Sequence, residues 1–187
     1  RRILLKLARD TVTAHLNGRE SPKPDPATLP APLREKGACF VTLQNHGELR
    51  GCIGNTEATD PLYSAVIRNA VHACRDPRFT LEPVTAAEVR QLHIEISRLT
   101  PMQRVRDTKE VIIGRHGLLI GLQGRGRGLL LPQVAYERGW TRERFLAEVC
   151  RKANLPMDTW KKPEAELYSF EAEVFGEPEG STPQTQT

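Results

Sequence analysis

Two short segments of alternating character, Cys39 to Gln44 and Glu48 to Ile53, flank Asn45-His46-Gly47, and this arrangement constrains the fold more than any other stretch. Asn and Gly tolerate positive φ, so the spacing predicts a β-hairpin. A hairpin commits its strands to antiparallel pairing. Helical patterns stand on either side, so the expected class is α+β, an antiparallel sheet flanked by helices, rather than a doubly wound parallel sheet. If Gln44 pairs with Glu48 across a three-residue loop, Thr42 lies opposite Arg50 and Phe40 opposite Cys52. Cys39, Val41, Leu43, Leu49 and Ile53 then face the core, while Phe40, Thr42, Arg50 and Cys52 share the other face. Gly51 and Gly54 bracket Cys52, and glycine in a strand lets a ligand or another backbone come close.

Other elements follow from period and punctuation. Ile3, Leu4, Leu7, Ala8, Val12 and Leu16 form one stripe of a helix over residues 1–16. Gly18 and five prolines make 17–32 an extended linker. Asp60 is placed to cap a helix that opens on Pro61 and ends at Asp76-Pro77. A strand is expected over Leu92 to Leu99, then two or three short strands between Val111 and Leu131. Pro132 opens a short helix that Gly139 stops, and Thr141 caps another with Phe145, Leu146, Val149 and Cys150 buried. Ser169 to Phe175 reads as the last strand. The polar stretch 177–187 reads as a flexible tail.

The length of 187 residues suits one ordinary domain or two intimate lobes sharing a core, with residues 1–176 expected to fold and 177–187 left outside. No apolar run approaches the roughly 20 residues of a membrane span, so no membrane contact is expected and the location is expected to be cytoplasmic. A net charge of +4 permits an anionic partner without requiring one. Cys39, Cys52, Cys74 and Cys150 show no C-x-x-C spacing, so free thiols are expected rather than a zinc ribbon or disulfide framework. No metal and no cofactor are expected.

Leu49-Arg50-Gly51-Cys52-Ile53-Gly54 is similar to the hallmark motif of the AMMECR1 domain family. Phe40-Val41-Thr42, Asp76-Pro77-Arg78-Phe79, Gly114-Arg115-His116-Gly117 and Leu131-Pro132-Gln133-Val134-Ala135 agree in order, so the resemblance covers roughly residues 3–176. It resembles in particular the A proteins of the AmmeMemoRadiSam system. The resemblance implies a larger lobe containing both chain ends, a smaller lobe, and a cleft near the motif. It also implies a radical S-adenosylmethionine protein and a Memo-like protein as partners. Two functions remain open on it: an enzyme or enzyme component in RNA or small-molecule modification, or a non-catalytic ligand-binding or scaffold module serving those partners.

Cys52 and His116 are the candidate catalytic residues. Arg50, two residues from Cys52, is expected to lower its thiol pKa, making Cys52 a nucleophile or redox group; the alternative is a small residue that packs. His116 would transfer a proton or orient substrate. Thr42, Arg50, Gly51, Gly54, Asp76, Arg78 and Gln133 are candidate substrate contacts, with Asp76 and Arg78 also readable as a turn anchored by Phe79. His93 and Glu95 alternate with the core residues of their strand and could share a face with Cys52. The run Gly124-Arg125-Gly126-Arg127-Gly128 lacks the context of a phosphate loop and is expected to be a mobile hairpin loop.

Overall fold

The structure is a computed structural model that describes residues 1–178. Helices α1 (Arg2–Leu16), α2 (Ala31–Arg34), α3 (Leu62–Ala73), α4 (Pro132–Glu137) and α5 (Arg142–Lys152) combine with eight strands among these residues. The strands are β1 (Ala38–Asn45), β2 (Glu48–Gly54), β3 (Leu92–Leu99), β4 (Gln103–Arg104), β5 (Gly117–Leu122), β6 (Gly126–Leu130), β7 (Glu166–Phe170) and β8 (Ala172–Gly176). They form two antiparallel sheets, β2-β1-β3-β8 and β4-β7-β5-β6, so the fold is α+β. The chain divides into two compact units, Arg1–Arg98 with the segment from Glu173, and Leu99–Ala172. No helix among the described residues is long and apolar enough to cross a membrane.

In the first unit, α3 packs on β1 and β2, and α1 packs on α3. Val41, Leu43, Ile94 and Ile96 supply the sheet side of the core, and Leu62, Ala65, Val66 and Ala70 the helix side. The small residues of α3 allow a close approach: a Cβ on Gly51 would lie 2.0 Å from the Ala73 carbonyl oxygen. Glycine at 51 thus admits the end of this protein's own helix.

The hairpin forms with a different register from the one the sequence suggests. His46 (φ 49°) and Gly47 (φ 82°) alone make the turn, both in the left-handed region, and Asn45 pairs with Glu48. A bulge then leaves Arg50 as the extra residue, because Gln44 pairs with Leu49 but Leu43 with Gly51. Thr42 therefore lies opposite Cys52, and Phe40 opposite Gly54. Leu49 is turned off the core face and is 38% exposed.

Other boundaries differ for local reasons. Asp60 does not cap α3, since its carboxylate pairs with Arg68 while Pro61 occupies the cap position. The linker contains a 3₁₀ turn, Pro26–Thr28, capped by Asp25, and then α2. The expected last strand is two strands in different sheets, broken at Glu171. Of the expected tail, Glu177 is held, its carboxylate accepting from Arg9 and from the Ile94 amide; 179–187 lie outside the described residues.

In the second unit, α5 packs on β5 and β6 around Leu118, Ile120, Phe145, Leu146 and Val149. Thr141 Oγ1 accepts from the Arg144 amide at 3.2 Å, the expected cap, and Gly139 closes α4 at φ 59°. The Gly124-to-Gly128 run is not a loop throughout. Gly126 and Gly128 belong to β6, where Cβ atoms would meet the Ala153 oxygen at 2.2 Å and the Ala153 nitrogen at 2.5 Å. The end of α5 sits directly on the strand.

Gly51→Ala and Gly128→Ala are each expected to destabilise the fold by about 1–3 kcal/mol or more, because backbone rather than a flexible side chain meets the added carbon. Urea unfolding should show lower midpoints for both.

Candidate functional site

β2 is an edge strand, so its outward backbone groups need partners other than a neighbouring strand. Cys74 closes α3, and two residues later Asp76 heads the 3₁₀ turn Pro77–Phe79, accepting from the Arg78 amide at 3.1 Å. The same carboxylate is 3% exposed and accepts from the Cys52 amide at 2.9 Å. Arg78 donates to it twice, from Nε at 3.0 Å and Nη2 at 2.6 Å, and Nη2 also donates to the Cys52 carbonyl at 3.2 Å. Asp76 and Arg78 together thus satisfy both backbone groups of Cys52. Burial alone would raise the Asp76 pKa, but the Arg78 side chain and the Cys52 and Arg78 amides outweigh it and bring it down to about 2.

With its backbone facing outward, Cys52 forms a non-hydrogen-bonded pair with Thr42, the geometry in which facing side chains are closest. Thr42 Oγ1 donates to Cys52 Sγ at 3.1 Å. Burial pushes the thiol pKa up; Thr42 and Arg78 pull it down, and the negative charges of Asp76 and Glu95 push it further up. The net shift is upward. This corrects the expectation of a thiol activated by Arg50: the neighbouring cation is Arg78, and its charge is already matched by Asp76.

Arg50, displaced by the bulge, turns to Glu88 instead, donating from Nε at 2.8 Å and Nη2 at 3.2 Å, and from Nη2 to the Pro83 carbonyl at 3.3 Å. Glu88 also accepts from the Thr85 amide and hydroxyl and from Asn45. The Arg50 hydrogen bonds, helped by Thr85 and Asn45 against the cost of burial, hold its pKa down at about 2. Sequence reasoning missed Glu88, although Thr85-x-x-Glu88 carries the pattern of a capping box. The guanidinium carbons of Arg50 and Arg78 lie 5.9 and 5.7 Å from the Phe79 ring centre. Beyond this stacked group Leu81 projects into solvent, 98% exposed.

Thr42, Arg50, Gly51, Cys52, Gly54, Asp76 and Arg78 are therefore gathered in the first unit. Beside Gly54, a Cβ would meet the Cys39 oxygen and the Phe40 ring, each at 2.4 Å. Glu95 lies near enough to act on the thiol, whereas His93 packs beside Gly176. His116 and Gln133 belong to the second unit. There the His116 amide donates to the Ile112 carbonyl at 2.9 Å and its Nδ1 accepts from the Ile112 amide at 3.2 Å. Its Nε2 lies 4.0 Å from Glu171, to which Arg115 donates at 2.7 Å. Gln133 is half-buried on α4. No three His, Cys, Asp or Glu side chains gather into a metal-binding group among the described residues.

Because the Asp76 pKa is depressed on folding, its contribution to stability is present above the ordinary carboxylate value and is lost as pH falls through about 2. Asp76→Asn is expected to cost about 1–3 kcal/mol at neutral pH. It should also flatten the fall in stability between about pH 4 and pH 2, measured by urea unfolding across that range.

The AMMECR1 family model matches residues 5–175. A protein of Methanothermobacter thermautotrophicus is 42% identical over 183 residues, covering 94% of this chain and 93% of that relative. A Methanopyrus kandleri protein is 41% identical, covering 96% and 89%. The crystal structure of uncharacterized protein PH0010 from Pyrococcus horikoshii is similar with a TM-score of 0.86 and 38% identity, covering 94% of this chain and 90% of that one. The motif strand, its clamp and the α+β architecture thus stand in a chain that belongs to the AMMECR1 family.

Proposed function

We propose that this AMMECR1-domain protein acts as a non-catalytic binding or scaffold module, and that the edge strand at Cys52 with the loop after α3 presents its contact surface to a radical S-adenosylmethionine protein and a Memo-like partner. The observation that carries this reading is the electrostatic setting of Cys52. Its thiol pKa is raised by burial, and the cation beside it is already paired. A nucleophilic cysteine needs the opposite arrangement.

The adjoining loop has the character of a contact surface. Arg50 and Arg78 are fixed by carboxylates, and they in turn hold Phe79. Leu81 is then displayed on a braced support, and an apolar side chain almost fully in water gains most by entering a partner's pocket. Cys52, on this reading, is a small side chain filling the space opposite Thr42.

The test is calorimetric titration of the purified partners into the protein and two variants. Leu81→Asp is expected to weaken binding roughly tenfold or more, while Cys52→Ser stays within about twofold of the wild type. Leu81 is 98% exposed, so its variant should melt normally. Unchanged affinity in Leu81→Asp would contradict the surface assignment. Turnover of an RNA or small-molecule substrate that disappears in a folded Cys52→Ser protein would contradict the non-catalytic reading and restore Cys52 as the reacting group.

A further inference from the structure

The second unit contains a cavity of about 490 Å³ that holds none of the candidate site residues and shares only Val134 with the motifs. Its position follows from the glycines of β6. Because Gly126 and Gly128 let the end of α5 rest on the strand, Arg151 and Lys152 come alongside Leu130. Gly139 ends α4 in a left-handed conformation, and the Trp140 amide turns back to donate to the Ala135 carbonyl at 2.9 Å. This brings Trp140 and Val134 to the cavity wall and places Arg138 over the indole, 5.3 Å from the ring centre.

The charges of the cavity are arranged rather than scattered. Glu148 on α5 is only 3% exposed and lines the cavity, its Oε2 2.5 Å from Arg151 and its Oε1 2.5 Å from Arg144. A carboxylate buried in this way holds the Arg151 guanidinium in place at the wall. Arg138, Arg151 and Lys152 line the cavity against the single charge of Glu148, leaving it net positive. Leu130, Val134 and Trp140 supply an apolar wall, and Asn154 adds a neutral polar side chain. The volume lies within the range of small-molecule pockets, roughly 300–1,000 Å³.

We propose that this cavity is a binding site for a small phosphate monoester bearing a planar ring, such as a nucleoside monophosphate. Arg138 and Lys152 hold the phosphate from either side, with Arg151 oriented by Glu148. The ring lies against Leu130, Val134 and Trp140. The proposal is independent of the partner surface of the first unit, since it uses no residue of that unit.

Calorimetric titration of the full chain with AMP, UMP, adenosine and inorganic phosphate tests it. Saturable binding of at least one nucleotide is expected, weakening as salt is raised. Inorganic phosphate and adenosine should each bind roughly tenfold or more weakly than the nucleotide. Arg138→Ala and Lys152→Ala, both surface changes, should each weaken nucleotide binding roughly tenfold with unchanged circular dichroism. Absence of saturable binding up to about 10 mM nucleotide would overturn the proposal. Affinity unmoved in both variants would overturn the location. Phosphate binding as tightly as AMP would overturn the role of the apolar wall.

Discussion

One buried carboxylate organises the first unit. A sheet edge leaves backbone donors and acceptors facing outward, and an unprotected edge invites pairing with another chain. Here Asp76 and Arg78 do at Cys52 what a neighbouring strand would otherwise do, accepting from its amide and donating to its carbonyl. The carboxylate can be buried because every strong donor it needs is within reach, including the amide of the turn it caps. The turn after α3, the edge of the sheet and the orientation of Cys52 therefore depend on a single side chain.

The rest of the site extends the same principle. Phe79 is placed by the turn that Asp76 caps, and both guanidinium groups that approach it are held by carboxylates, one by Asp76 and one by Glu88. Glu88 is itself fixed by the capping box it forms with Thr85. The result is a braced loop with little unmatched charge and one fully exposed leucine. Cys52 sits behind it, opposite Thr42, in surroundings that favour the protonated thiol. The motif Leu49 to Gly54 can be read almost entirely as structural chemistry: a bulge that frees Arg50, a glycine that admits a helix end, a cysteine clamped through its backbone and an isoleucine packed on the core.

Much of this was legible from residue order. The hairpin, the strand from Leu92 to Leu99, Thr141 as a cap and the Pro132 to Gly139 helix needed only period and punctuation, because local chemistry decides them. Asp76 with Arg78 as a turn was also readable, since the side chain bonds to an amide two residues on. The register was not, because the bulge at Arg50 goes with the seating of the end of α3 against Gly51, a contact between residues far apart in sequence. That shift moved Leu49 out of the core, placed Cys52 opposite Thr42, and sent Arg50 to Glu88. The glycines between 124 and 128 misled for a related reason: glycine marks a turn or a close approach equally well, and only the position of Ala153 distinguishes them. The chemical setting of Cys52 depended on these long-range contacts and so lay beyond the motif itself.

Burial and the pairing of Arg78 with Asp76 favour the neutral thiol of the motif cysteine. The most direct measurement is the carbon-13 chemical shift of the Cys52 β-carbon followed against pH, with Cys39, Cys74 and Cys150 as internal references. A midpoint above the ordinary thiol value of about 8.5 is the result this structure predicts. A midpoint well below about 8 at Cys52 alone would contradict it and identify an activated thiolate.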